Sequence, residues 1–193
     1  MSENPWYREA RPGSRLTQGD IIFNCPLVVW DPSSRLRGVQ AEETLKSATR
    51  FFTADVIVMT QACDLEQEKV SNVVLCPHQG LSEHKSSWEE EARRNNQNPS
   101  EKSWISHQEG IRKSSYSNLY LLNMNDRVAP GMEYRVVDFA EVYSVPRAFL
   151  ESLLKHRKQV RLRLNSPYRE HLSHAFAGFF MRVALPNVIT SFK

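Results

Sequence analysis

Short runs of hydrophobic residues predict strands in the first part of the chain. Residues 17–30, TQGDIIFNCPLVVW, predict a strand interrupted at Pro26, because proline cannot donate to a strand ladder. Residues 54–60 are almost uniformly apolar, which predicts a strand that is buried on both faces and central in its sheet. Residues 72–78 predict a third strand, and we expect it to pair with the second as a hairpin.

The second half of the chain alternates between strand and helix patterns. Strands are predicted over residues 118–123, 133–145 and 159–164, and helices over residues 147–157 and 166–185. Pro146 suits the start of the first of these helices, and Ser166 suits the N-cap of the second. In the last strand, arginines alternate with hydrophobic residues, which predicts that Arg161 and Arg163 lie on a polar face.

Residues 79–118 differ from the rest of the chain in having few aliphatic residues and many charges. We predict that they form a polar insertion with short helices over residues 87–94 and 103–112. The other elements fit one domain over residues 1–193, of the mainly β with helices (α+β) class. The adjacent Phe179 and Phe180 cannot share one helix face, so one of them is expected to be exposed and to suit a homodimer contact.

Composition narrows the class of protein. Hydrophobic residues make up 40% and charged residues 24% of the 193 residues, as in a soluble globular protein. The apolar runs are too short to span a bilayer, so we expect no membrane association. The first fifteen residues lack the apolar region of a secretory signal, and three cysteines favour a reducing compartment, which together predict a cytoplasmic protein.

A cluster of polar residues follows the central strand. Gln61, Cys63 and Asp64 come directly after it, and the next strand ends at His78. One hypothesis makes Cys63 a nucleophile with His78 as its base, and with Asp64 or Gln61 orienting the base or binding an oxyanion. A second makes His78 the general base that cleaves RNA through the 2′-hydroxyl. A third is purely structural, with a buried thiol and a turn capped by Asp64.

The same residues raise the question of zinc. Cys25, Cys63, Cys76 and His78 are ligand types that zinc accepts in a tetrahedral site. Their spacing lacks the CxxC pairs that usually carry structural zinc. We therefore predict no metal and no cofactor.

Positive charge is concentrated near the end of the chain. Residues 155–171 contain six Lys or Arg and one acid, a net charge of +5, whereas the whole chain carries only +3. The candidate nucleic-acid-binding residues are Lys155, Arg157, Lys158, Arg161 and Arg163. Alternating arginines suit a phosphate backbone. They also keep an edge strand soluble, and the sequence does not choose between the two.

Three patterns occur in a characteristic order. Gly19-Asp20-Ile21 opens the first strand, residues 56–60 form the apolar central strand, and residues 137–150 run from a strand into a helix with spaced hydrophobic residues. A strand and a C-terminal helix follow. In pattern and order these elements resemble the PemK/MazF family, whose members include the ribonuclease toxins of bacterial toxin–antitoxin pairs. The resemblance implies an SH3-like barrel carrying the insertion and the C-terminal helix.

The chain departs from that family at the residues that handle RNA. The toxins carry a basic residue at the head of the central strand and a hydroxyl at the end of the next, where this chain has Ala54 and His78. Loss of a cation beside a scissile phosphate removes transition-state stabilisation. The resemblance therefore implies a toxin–antitoxin or defence-type protein, associated with nucleic acid or regulatory, whose ribonuclease chemistry is lost or altered.

Two alternatives stay open at this point. One is an active endoribonuclease that uses His78 with a repositioned cation, and the other is a non-catalytic protein-interaction module. The expected partners are RNA or another nucleic acid and a protein encoded by a neighbouring gene.

Overall fold

The computed structural model describes residues 6–31, 33 and 48–181. Its strands are β1 (Tyr7–Ala10), β2 (Asp20–Trp30), β3 (Thr49–Val58), β4 (Asn72–Gly80), β5 (Leu119–Leu122), β6 (Arg135–Asp138), β7 (Tyr143–Pro146) and β8 (Arg161–Leu164). Its helices are α1 (Ala62–Glu66), α2 (Leu81–Arg94), α3 (Glu101–Arg112), α4 (Arg147–Arg157) and α5 (Tyr168–Phe180).

The strands form one antiparallel sheet in the order β1-β8-β2-β3-β4-β6-β5, with β7 paired to the first part of β4. Within the described residues, β1 and β5 are the two ends of this order, so the sheet is not closed. The fold is therefore mixed α+β, which confirms the predicted class at that level. The long β2–β3 pairing and the shorter β3–β4 pairing hold the middle of the sheet together.

The central position predicted for residues 54–60 is confirmed for β3. It pairs with β2 on one edge and with β4 on the other, and Val56, Ile57 and Val58 are fully buried. Ile57 belongs to one hydrophobic cluster, whereas Val56 and Val58 belong to a second. Successive strand residues point to opposite faces, so β3 contributes to a core on each side of the sheet.

Each face of the sheet is covered by helices. Leu172 of α5 is fully buried in the first core, and Leu150 of α4 is fully buried in the second. Phe179 packs against the first core, while Phe180 is 55% exposed, as the sequence predicts for one of the pair. The homodimer contact stays a prediction. The predicted helix over residues 166–185 runs partly beyond residue 181 and so partly outside the described residues.

The predicted break at Pro26 was wrong. Pro26 lies opposite Thr53 within a continuous β2, and the irregularity falls at Phe23 and Asn24, where two residues of β2 oppose Asp55 alone. Asn24 has a left-handed backbone with φ of 51°. This is a β-bulge, a feature that kinks a strand and re-aims side chains.

The predicted polar helices of the insertion are present as α2 and α3. Both begin earlier than predicted, at Leu81 and Glu101. Ser100 caps α3, because its hydroxyl accepts from the Ser103 amide while the Ser103 hydroxyl accepts from the Ser100 amide. Trp104 is buried, and its ring packs against Trp88 and His84 of α2, so it holds the two helices of the insertion together.

Candidate functional site

The residues that follow the central strand lie on and beside the short helix α1. Gln61 and Cys63 are exposed, and the Cys63 Sγ lies 3.7 Å from Gln61 Oε1 and 3.8 Å from Asp64 Oδ1. Thr60 is buried, and its hydroxyl accepts a hydrogen bond of 2.7 Å from the Val74 amide. Thr60 therefore connects the turn after β3 to β4, which gives the threonine at the end of the apolar run a structural role.

His78 lies at the opposite end of the β3–β4 pair. The Met59 amide donates to the Val74 carbonyl beside the start of α1. His78 is four residues further along β4, which corresponds to roughly 13 Å at the rise of a strand. The structure therefore does not bring His78 together with Gln61, Cys63 and Asp64.

His78 is instead held by Arg135, a residue that sequence analysis did not single out. The Arg135 Nε donates to His78 Nδ1 over 2.6 Å, and an Arg135 terminal nitrogen contacts Asp55 Oδ2 over 2.5 Å. Burial, and next the Arg135 charge, hold the pKa of His78 well below its usual value. His78 Nε2 makes no hydrogen bond of normal geometry with the described residues, although the Val56 carbonyl is near enough to oppose part of that lowering.

The β-bulge in β2 positions the Asp55 carboxylate. Asp55 lies opposite the bulge, and its Oδ1 accepts from the Asn24 amide over 2.8 Å. Arg157 of α4 donates to the Phe23 carbonyl over 2.8 Å and to the Asn24 carbonyl over 2.6 Å. Arg157, a candidate phosphate ligand in the sequence, thus stabilises the bulge from the side of the helix.

A cleft of about 390 Å³ opens beside His78. It is lined by Ala54 and His78, and by four carboxylates, Asp55, Glu83, Asp138 and Glu141, with no Lys or Arg among its lining residues. We call it the acidic cleft. Its charge opposes the approach of a phosphate.

No group of three or more His, Cys, Asp or Glu arranged to hold a metal occurs among the described residues, and Cys25 and Cys76 lie in different cores.

A larger cleft of about 620 Å³ has the opposite charge. Its cationic lining residues, which define the basic cleft, are Arg8, Arg15, Lys155, Arg161, Arg163 and Arg169. Three acids, Glu66, Glu68 and Glu151, also line it. Glu68 is 3.2 Å and Glu151 3.9 Å from Arg147, so part of this negative charge is offset by a cation outside the lining. Among the lining cations, Arg169 is itself paired with Glu170, and Arg161 and Arg163 share Asp20, so the surplus of positive charge in the cleft is small.

Arg161 and Arg163 form the inner part of the basic cleft. Arg161 is only 5% exposed, so the expectation of two arginines on a solvated strand face is not met. Both guanidinium groups contact Asp20, which is fully buried. Arg161 also donates to the Ser14 carbonyl over 3.0 Å, and Arg163 to the Arg15 carbonyl over 2.6 Å. Their role in nucleic-acid binding stays a prediction.

Gly19 precedes this buried carboxylate and brings it into place. Its φ of +80° is a conformation that favours glycine, and a Cβ there would lie 3.1 Å from the Leu164 Cβ. The Gly19 amide donates to the Val58 carbonyl and its carbonyl accepts from the Leu164 amide, so it joins β3 to β8. The Gly19-Asp20 pair therefore links β3 to β8 and places the buried carboxylate beside Arg161 and Arg163.

Among the other residues predicted to bind nucleic acid, Lys155 is exposed in the basic cleft, whereas Lys158 ends α4 in a left-handed conformation outside its lining. Sequence analysis missed Arg8 and Arg15. Arg8 is brought to the cleft because β1 pairs with β8, which places it opposite Arg163. Only this long-range pairing reveals its position.

Two further histidines form a chain of hydrogen bonds in the insertion. Gln79 Nε2 lies 3.0 Å from His84 Nδ1, His84 Nε2 lies 3.1 Å from His107 Nε2, and His107 Nδ1 lies 3.1 Å from the Tyr116 hydroxyl. If Gln79 donates, His84 carries its proton on Nε2 and donates to His107, which then donates to Tyr116. Both rings are neutral in this arrangement. Burial lowers the pKa of His84, and lowers that of His107 to about 4.

No helix in the described part of the chain has both the length and the apolar character needed to cross a membrane. Comparisons with protein-family models, with curated proteins and with solved structures return no match to this chain.

Proposed function

We propose that the protein binds nucleic acid through the basic cleft and does not cleave it. The observation that carries this proposal is the convergence of six cationic side chains from separate parts of the chain on one cleft. Clustered Lys and Arg side chains neutralise backbone phosphates, which supplies most of the affinity of sequence-independent binding.

The division of charge between the two clefts supports the location. Phosphates are attracted to the basic cleft and repelled by the acidic cleft, in which Arg135 offsets one of the four carboxylates, Asp55. Exposed Arg8, Arg15 and Lys155 are available at the mouth of the basic cleft, above the buried Arg161. Long flexible cations at a rim suit a partner with a repeating negative charge.

One observation favours the endoribonuclease alternative. Arg135 supplies a cation beside His78, from a position other than the head of the central strand, where the toxins carry theirs. Arg135 is already paired with Asp55, however, and its hydrogen bond to Nδ1 places the proton of neutral His78 on Nε2. A base needs a free lone pair, and in this arrangement neither ring nitrogen offers one. We therefore favour binding without cleavage at His78.

The likeness to PemK/MazF proteins and a role in toxin–antitoxin or defence systems belong to the same proposal. They rest on the order of the elements and on the Gly19-Asp20 pair, whose contacts join three strands. The SH3-like barrel itself is part of this proposal, as is a protein partner encoded nearby.

The proposal is tested by fluorescence anisotropy with a single-stranded RNA of mixed sequence. In a cleft variant, Arg8→Gln, Arg15→Gln and Lys155→Gln are combined, since these side chains are exposed. The matched control combines Arg93→Gln, Arg94→Gln and Arg112→Gln on α2 and α3, which removes the same charge elsewhere. We expect about a tenfold loss of affinity at low salt for the cleft variant and about twofold or less for the control.

Equal losses in the two variants would contradict a localised cleft, and an absence of wild-type binding at low salt would contradict the proposal. Expression of the wild type beside a His78→Ala variant tests the second part of the proposal, that the protein does not cleave nucleic acid. We expect neither growth arrest nor RNA cleavage. Cleavage that disappears in the His78→Ala variant would overturn the non-catalytic assignment.

A further inference from the structure

The buried charges of the basic cleft do not balance. Two guanidinium groups, those of Arg161 and Arg163, share the single carboxylate of Asp20. That carboxylate also accepts from the Thr17 amide, so its two oxygens already receive four hydrogen bonds. One positive charge is left over at a position where Arg161 is 5% exposed. A buried charge without a counter-ion is unfavourable.

A second observation points to a missing ligand. The Arg161 Nε is buried and has no hydrogen-bond partner among the residues that the structure describes. Buried polar groups nearly always have a partner, so this unpaired donor, on a charged side chain that lines the basic cleft, favours an acceptor supplied by a water or a bound ligand. A charged oxygen is the acceptor that binds a guanidinium most strongly.

The depth of the cationic side chains in the basic cleft determines which kind of phosphate can reach them. Arg8, Arg15 and Lys155 are exposed at the mouth of the cleft, whereas Arg161 and Arg163 lie beneath the surface. A phosphodiester within a strand has a chain leaving it on both sides, which holds it near the rim. A terminal phosphomonoester has one attachment, can enter end-on, and carries up to two negative charges near neutral pH.

From this buried surplus charge we propose that Arg161 and Arg163 form a subsite for a terminal phosphate, so that the basic cleft prefers nucleic-acid ends that carry a phosphomonoester. This inference rests on the proposed function in that the strand behind the phosphate would follow the exposed cations. The subsite itself requires only the phosphate.

The test compares one RNA oligonucleotide in three forms: hydroxyl at both ends, phosphate at the 5′ end, and phosphate at the 3′ end. We expect at least one phosphorylated form to bind the wild type about tenfold more tightly than the hydroxyl form at equal ionic strength. In an Arg161→Met variant, Asp20 keeps its contacts with Arg163 and the surplus charge is gone. We expect this variant to bind all three forms equally.

A second measurement does not depend on the variant or on strand binding. Thermal melting of the wild type is followed with adenosine 5′-monophosphate and with adenosine, at constant ionic strength. We expect the nucleotide, and not the nucleoside, to raise the melting temperature. Equal melting together with equal affinity for all three RNA forms would overturn the subsite.

The outcomes separate the two proposals. Salt-dependent RNA binding with no effect of end phosphates leaves the proposed function standing and overturns the subsite. Stabilisation by the nucleotide without binding of any RNA form supports the subsite and contradicts nucleic-acid binding.

Discussion

Arg135 donates a hydrogen bond from its Nε to Nδ1 of His78 across 2.6 Å. A guanidinium cannot accept, so Nδ1 must offer its lone pair and the proton of the neutral ring lies on Nε2. Burial and the adjacent positive charge keep the pKa of His78 well below its usual value. His78 therefore acts as a fixed neutral acceptor for Arg135, which in turn contacts Asp55 of the central strand.

Arg135→Met removes this relationship. We expect the pKa of His78 to rise towards its usual value, because the cation and the donor to Nδ1 are both lost, while burial still acts. The change also leaves Asp55 without its ion pair, at a cost of about 2–3 kcal/mol in the free energy of unfolding. NMR titration of the imidazole and chemical denaturation measure the two effects, with Arg94→Met as the exposed control. An unchanged His78 pKa would contradict the assigned contact.

The Asp20 carboxylate is expected to be essential for stability. Asp20→Asn leaves two largely buried guanidinium groups without a counter-charge, and we expect a loss of about 3–5 kcal/mol. Asp64→Asn, on the short helix α1, is the matched control and should change stability by about 0.5 kcal/mol or less. Chemical denaturation at pH 7 measures both, and similar midpoints for the two variants would contradict the buried pairing.

The three cysteines are expected to react very differently with a thiol reagent. Burial raises the pKa of Cys25 to about 11 and that of Cys76 to about 12, whereas Cys63 is exposed. We expect one thiol equivalent to react rapidly in the native protein and all three to react after denaturation. Cys63→Ser should abolish the rapid phase. Two or more rapid equivalents in the wild type would contradict the burial of Cys25 and Cys76.

Acid is expected to destabilise the protein through three histidines that are buried or half-buried. The pKa of His78, His84 and His107 is lowered in the folded state, so between about pH 6.5 and the folded values the unfolded chain binds more protons. The free energy of unfolding should therefore fall as the pH drops below about 6.5, and for His107 level off below about 4.

The contribution of His107 can be separated with a His107→Gln variant. It removes one group with a lowered pKa, so its stability should depend less steeply on pH between 6 and 4 than that of the wild type. His156→Gln, on the exposed end of α4, is the control. Parallel curves of melting temperature against pH for His107→Gln and the wild type across this range would contradict a neutral, half-buried His107.

Much of the fold follows from local patterns. The apolar run over residues 54–60 predicts a central strand because a strand that contributes to two cores needs hydrophobic residues at successive positions. The alternation over residues 159–164 correctly predicts a strand. It does not predict that Arg161 is buried, because the charge that makes burial tolerable, Asp20, lies 141 residues away in the chain.

The candidate sites were harder to predict for the same reason. Cys63 lies on α1, just after β3, and His78 lies on β4, and only the register of β3 against β4 shows that they are at opposite ends of this strand pair. Arg135 and Asp55 have no distinctive sequence context, and they meet because β6 pairs with β4 beside the bulge. Arg8 reaches the basic cleft through the β1–β8 pairing. In each case, contacts between distant segments determine the chemistry.

The salt dependence of RNA binding tests most directly whether the basic cleft holds the phosphate backbone. For single strands, the logarithm of the binding constant falls with the logarithm of the salt concentration by about 0.7 for each phosphate neutralised. The combined Arg8→Gln, Arg15→Gln and Lys155→Gln variant should therefore show a slope smaller than that of the wild type by about 2. Identical slopes for this variant and the wild type would contradict nucleic-acid binding by the basic cleft.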